Sequence, residues 1–136
     1  MRRNQLIKRN GEKLKVLGID LRDINRIRFR NCKESFSHRI VKLVLCHLLE
    51  RAGHNFKTEQ PIGNAVCDVI DLDTFVVYEI ETYANSTIIR KKLNDFRHPL
   101  IEDLIILDLR KMNLDWEHIF NLKDKIKKYC GLSFDT

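Results

Sequence analysis

Cys67-Asp68-Val69-Ile70 and Tyr78-Glu79-Ile80-Glu81-Thr82 belong to two apolar runs, Val66 to Leu72 and Phe75 to Thr82. Both runs are rich in β-branched and aromatic residues, and Asp73-Thr74 separates them, so they read as a β-hairpin. Three carboxylates are embedded in these strands. Burying an acid is costly unless it is paired, hydrogen-bonded or bound to a metal. Alternate strand residues share a face, so Val77, Glu79 and Glu81 lie on one side and Tyr78, Ile80 and Thr82 on the other. A turn near 72–74 brings Asp68 level with the part of the second strand that carries Glu79 and Glu81. Three acids meeting there raise one another's pKa and favour a cation between them.

The elements around the hairpin follow from periodicity and turn signals. Residues 1–17 are basic and lack clear periodicity apart from Val16-Leu17, and Asn10-Gly11 reads as a turn. From Asp20 to Arg30, Leu21, Ile24, Ile27 and Phe29 suggest a short helix with Arg22, Arg26, Arg28 and Arg30 around it. The clearest helix begins at a Ser35 or Ser37 cap and runs to about Ala52. Its apolar face is Ile40, Val41, Val44, Leu45, Leu48 and Leu49, and Gly53 ends it. His54 to Glu59 is strand-like, and 61–64 read as a turn. After the hairpin, Ser86 caps a basic helix through Arg97 that Pro99 stops. Leu104 to Leu107 reads as a buried strand, and Asn113 or Asp115 opens a last helix closed by Gly131. From Ser35 the order is α-β-β-β-α-β-α, which predicts an α/β fold: a meander, then a helical crossover to a fourth strand of a mixed sheet flanked by helices.

The 136 residues suit one domain, 1–136, with a basic N-terminal extension at about 1–33. The net charge of +6 is uneven: residues 1–43 hold 13 Lys/Arg against four Asp/Glu, and residues 44–136 hold 12 against 15. The basic part offers a phosphate-binding surface or, at its plainest, a solvated tail. No run is long and apolar enough to span a membrane, and the basic start lacks the apolar region of a secretion signal. The expected setting is intracellular. Cys32, Cys46, Cys67 and Cys130 have no CxxC spacing, so cysteine-only zinc binding is not indicated. There is no zinc-finger spacing, Walker loop or RNA-recognition aromatic motif.

Mg²⁺ (or Mn²⁺) suits an all-carboxylate cluster, because it takes oxygen ligands and retains waters that it acidifies for attack on a phosphodiester. The competing reading is that Glu79 or Glu81 pairs with Lys91, Lys92 or an arginine. Arg90, Lys91 and Lys92 follow the acidic motif on the next helix and are candidates to hold nucleic-acid phosphates, as are the more distant Arg2, Arg3, Lys8 and Arg9.

Asp68-Val69-Ile70-Asp71, Tyr78-Glu79-Ile80-Glu81-Thr82 and the helix ending Leu48-Leu49-Glu50-Arg51-Ala52-Gly53 resemble the PD-(D/E)xK nuclease superfamily, the restriction-endonuclease-like fold. Its α-β-β-β-α-β core matches residues 35–109 in order. The short length is also similar to that of archaeal Holliday-junction resolvases. The resemblance implies metal binding by Asp68, Glu79 and the Ile80 carbonyl. Cys67 replaces the motif proline. Glu81 stands where the family usually has lysine, and a glutamate can bind a second metal or act as general base, yet it lacks the lysine's charge. Lys91 or Lys92 on the next helix is the candidate to supply it. Glu59 is the preferred additional ligand and Glu34 the second choice. Relatives place a helix glutamate near position 38, so His38 is a further candidate.

The resemblance therefore implies a metal-dependent nuclease acting on DNA, branched DNA included, as a homodimer presenting two sites to two strands. Charge alone leaves RNA open as the target. The missing lysine at 81 motivates the alternative of a non-catalytic DNA-binding or assembly module that keeps the nuclease fold.

Overall fold

The computed structural model describes residues 3–30, 34–112 and 114–130, with backbone only at 123, 129 and 130. Eight elements follow in order: α1 (Arg3–Val16), α2 (Phe36–Arg51), β1 (Phe56–Ile62), β2 (Ala65–Asp71), β3 (Val76–Glu81), α3 (Ser86–Asp95), β4 (Asp103–Asp108) and α4 (Trp116–Cys130). The sheet order is β1-β2-β3-β4. β1, β2 and β3 form an antiparallel meander, and β4 runs parallel to β3 after the α3 crossover. The mixed four-stranded sheet and the element order from Ser35 agree with the sequence reading.

Helices cover both sheet faces. Ile70 and Val77 point to one side and pack with Leu6 and Leu14 of α1 and with Ile19 and Phe96. Val69 and Tyr78 point to the other and pack with Cys46 and Leu49 of α2. Ser35 caps α2 by accepting the His38 amide at 3.1 Å. The helix ends where Gly53 takes φ 78°, the left-handed conformation that glycine adopts without a Cβ penalty. The α2 apolar face is narrower than its sequence suggests: Val41, Cys46 and Leu49 are buried, whereas Val44 and Leu48 are exposed.

Four local expectations need correction. Residues 3–16 form a helix with Asn10-Gly11 inside it. Leu6, Asn10 and Leu14 fall at i, i+4, i+8; both leucines enter the core and Asn10 Nδ2 donates to the Leu72 carbonyl at 3.0 Å. Residues 20–30 are not a helix. Asp23 and Asn25 take positive φ, and the amides of Asn25 and Arg28 bond the Phe56 carbonyl and Thr58 Oγ1, so the segment lies along the outer edge of β1. Pro61 and Ile62 belong to β1 and only Gly63-Asn64 turn, because an edge strand tolerates proline's missing N–H. Asn85, not Ser86, caps α3, which ends at Asp95. Asp115 Oδ1 accepts the His118 amide at the start of α4, while Asn113 and Gly131 lie outside the described residues.

Candidate metal centre and nucleic-acid cleft

The β2–β3 register pairs Val69 with Tyr78 and Ile70 with Val77, which sets Asp68 opposite Glu79. At this point side chains replace the backbone ladder. The Asp68 amide donates to Glu79 Oε2 at 2.7 Å, and the Ile80 amide donates to Asp68 Oδ2 at 2.7 Å. Each carboxylate thus satisfies an amide that a regular pair would have matched to a carbonyl. A cleft of about 320 Å³ opens there, lined by Arg30, Glu34, His38, Asp68, Glu79 to Thr82 and Lys92.

Lys92 of α3 closes one side. Its Nζ lies 2.8 Å from Glu79 Oε1 and 3.2 Å from Glu81 Oε1, in keeping with the shared face of the two glutamates. Lys91 points away and pairs with Asp95 on the exposed helix surface, with 73% of its side chain accessible. Of the two lysines considered for the charge absent at position 81, only Lys92 is at the cleft, so Lys91 is removed from the catalytic candidates. The competing expectation of an ion pair for Glu79 and Glu81 is also met, by this same Lys92.

On the α2 side, His38 Nε2 is 3.5 Å from Asp68 Oδ2, and its Nδ1 is buried 2.9 Å from Glu34 Oε1, off the line of a hydrogen bond. Lys42, fully buried, lies 3.2 Å from Glu34 Oε1 and 2.6 Å from Glu59 Oε1. Glu59 Oε2 holds Arg30 Nε at 2.8 Å. Glu59 is therefore engaged by two cations and is not itself part of the cleft lining, whereas Glu34 and His38 stand beside Asp68. The preference for Glu59 over Glu34 as a metal ligand is corrected accordingly. Within β1, Glu59 takes φ 51° between the paired Thr58↔Val69 and Gln60↔Cys67, and the register is the same on either side of it.

Sequence reading missed Lys42 and the place of Arg30. A signal for Lys42 existed: His38 and Lys42 are four residues apart on the apolar α2, and Glu34 stands a further four residues back, just before the Ser35 cap. Arg30 carried no such signal, because its position follows from the loop lying on β1. Arg3, Lys8, Arg9 and Arg90 are exposed and stand apart from the cleft lining. Arg2 lies outside the described residues.

The electrostatics separate the two central acids. Burial and the charge of Asp68 push Glu79 up to about 7, against the opposing hydrogen bond from Lys92. Burial also raises Asp68, but His38 and the Ile80 amide outweigh it and hold the carboxyl below its ordinary value. Burial lowers His38, and the hydrogen bond and charge of Asp68 outweigh that and raise it. Such divergence of neighbouring acids is common at functional sites and occurs in structural ion-pair networks as well.

Two groups of His, Asp and Glu converge among the described residues: Glu34/His38/Asp68 and His54/Asp71/Asp73. The second scaffolds the β2–β3 turn, since Asp71 Oδ1 accepts the amides of Asp73 and Thr74 and Oδ2 meets His54 Nδ1 at 2.6 Å. At the first, the carboxylate oxygens of Glu34 and Asp68 are ligands of the kind Mg²⁺ or Mn²⁺ takes, while the His38 imidazole, whose buried Nδ1 lacks a hydrogen-bond partner, is a softer donor that suits Mn²⁺ better than Mg²⁺. Around it the cations Arg30, Lys42 and Lys92 face the carboxyls of Glu34, Glu59, Asp68, Glu79 and Glu81, and the raised pKa values of Glu79 and His38 reduce the surplus of negative charge that this arrangement would otherwise hold. No helix among the described residues is long and apolar enough to cross a membrane. Comparison with protein-family models, curated proteins and solved structures finds no match for this chain.

Proposed function

We propose that this chain is a divalent-metal-dependent nuclease of restriction-endonuclease-like fold that hydrolyses phosphodiester bonds in DNA. One observation carries the reading: Asp68 and Glu79 face each other at the opening of β2 and β3, with Lys92 bonded to Glu79 from α3. Asp68, Glu79 and the Ile80 carbonyl would hold Mg²⁺ or Mn²⁺, with His38 and Glu34 beside them. The ion, when bound, would acidify a water and polarise the phosphate. Lys92 keeps its proton, because Glu79 and Glu81 raise its pKa against the lowering effect of burial. Its ammonium supplies the positive charge that a glutamate at 81 does not. Asp68, held low by His38 and the Ile80 amide, stays ionised as a ligand.

The test is incubation with labelled linear, single-stranded and four-way DNA in Mg²⁺ or Mn²⁺, with EDTA as the metal-free control. Cleavage of any of them that EDTA and Asp68→Ala both abolish supports the proposal. Full-length product throughout, with Asp68→Ala indistinguishable from wild type, rejects it. A four-way substrate would be met by a homodimer, and single-stranded RNA is the competitor that identifies an RNA enzyme.

Glu81 supports a second reading, a DNA-binding or assembly module without catalysis. In that case Lys92 only neutralises Glu79 and Glu81. DNA binding would then be salt-sensitive, metal-independent and unchanged in Asp68→Ala. Calorimetric titration with Mn²⁺ separates the two, since tight binding lost in Glu79→Ala contradicts the module.

A further inference from the structure

Arg30 shares the cleft with Asp68, Glu79 and Lys92, but its own side-chain bonds go to Glu59 and to Val66. Its guanidinium is anchored from behind. Nε donates to Glu59 Oε2 at 2.8 Å and Nη2 donates to the Val66 carbonyl at 3.1 Å. These bonds use two of the five guanidinium donors. About half of the side chain remains accessible, 49%. Glu59 is itself fixed, because its other oxygen meets the buried Lys42 at 2.6 Å and its backbone holds φ 51°. A long, mobile side chain is thereby held in one place with donors to spare, at the rim of a cleft whose depth is acidic.

We propose that Arg30 is a phosphate anchor of this cleft, gripping a backbone phosphate of a bound nucleic acid, with Glu59 and Lys42 as the residues that position it. The assignment rests on reading the cleft as a nucleic-acid site, though not on catalysis. A planar guanidinium with spare donors binds a phosphate in a forked geometry, which a lysine ammonium does not reproduce. The strained Glu59 backbone and the buried Lys42 then have a purpose in fixing the direction of Arg30. Glu59, an expected metal ligand, becomes a support for a substrate-binding cation.

The experiment is fluorescence anisotropy of a fluorescein-labelled DNA duplex in EDTA, titrated across a salt series. EDTA stops cleavage, so binding is read independently of the nuclease proposal. Arg30→Gln is expected to weaken binding roughly tenfold and to reduce the slope of log affinity against log salt by about 0.9, the equivalent of one phosphate contact. Arg51→Gln, at the far end of α2, removes the same charge and is expected to change neither. Arg30→Lys is expected to keep the slope and bind several-fold more weakly; it carries the test if Arg30→Gln does not fold by circular dichroism. Arg30→Gln matching Arg51→Gln, Arg30→Lys matching wild type, or wild type failing to bind DNA overturns the assignment. Intact binding with no cleavage in Mn²⁺ removes the nuclease reading and leaves the anchor in place.

Discussion

Asp68 and Glu79 are joined by more than proximity: the Asp68 backbone amide donates to the Glu79 side chain at 2.7 Å. The neighbouring bond from the Ile80 amide to Asp68 Oδ2 has the same length. Two acids in the sheet therefore do the work of backbone carbonyls, and the strands open around them. This makes the pair both a structural bracket and the centre of the candidate site.

The bracket has a pH signature. With its folded-state pKa raised to about 7 by burial and Asp68, Glu79 favours the folded protein in its protonated form. Its contribution is fully present below the unfolded carboxylate pKa and is lost as pH rises through about 7. In EDTA, the stability difference between Glu79→Gln and wild type should grow in favour of the variant from pH 4.5 to 8, by on the order of 2–3 kcal/mol. Urea denaturation at each pH measures it. A difference that stays flat would remove the claim that Glu79 is strained by ionisation.

Lys92 and Lys91 are adjacent in sequence and opposite in consequence. Lys92→Ala leaves Glu79 buried without its cation and should cost about 1–3 kcal/mol. Lys91→Ala loses an exposed i,i+4 pair with Asp95 and should cost less than about 1 kcal/mol. Thermal melts of the two variants make the comparison, and equal losses would contradict the geometry.

Lys42 should be the more severe site. It is fully buried, and Glu34 and Glu59 both depend on it. Lys42→Met leaves those carboxylates without their shared cation and should destabilise the fold by about 3–5 kcal/mol in chemical denaturation. A change within error of wild type would mean that the Glu34–Lys42–Glu59 bridge is not formed.

Cys46 and Cys67 should be inert in the folded protein. Burial pushes the Cys46 thiol up to about 12, and Cys67 higher still, and both are almost wholly buried. Mass-spectrometric mapping after brief iodoacetamide treatment should find both unmodified in buffer and alkylated in urea. Labelling of either in the native state would contradict the packing.

The sequence carried the site further than it carried the edges of the fold. Alternation placed Glu79 and Glu81 on one face, and a tight hairpin placed Asp68 beside them, because both are period-two properties of single strands. Helix α1 was hidden because its buried stripe is thin, Leu6 and Leu14 with Asn10 between them, and Asn10-Gly11 resembles a turn. Residues 20–30 misled for the opposite reason: a helical apolar spacing was overridden when the amides of Asn25 and Arg28 found partners on β1. The choices between Lys91 and Lys92, and between Glu34 and Glu59, depend on helix rotation and on the positive φ of one strand residue, Glu59. Neither is written in local spacing.

The most direct test of a single metal-dependent hydrolytic site is the initial rate of cleavage of a labelled DNA substrate in Mn²⁺ by four proteins: wild type, Asp68→Ala, Lys92→Ala and Lys91→Ala. Asp68→Ala and Lys92→Ala should fall at least about 100-fold, the scale for removing one transition-state contact, while Lys91→Ala stays within a few-fold of wild type. Wild-type rates in Lys92→Ala, or equal losses in the two lysine variants, would contradict the assignment of Asp68, Glu79 and Lys92 to one site.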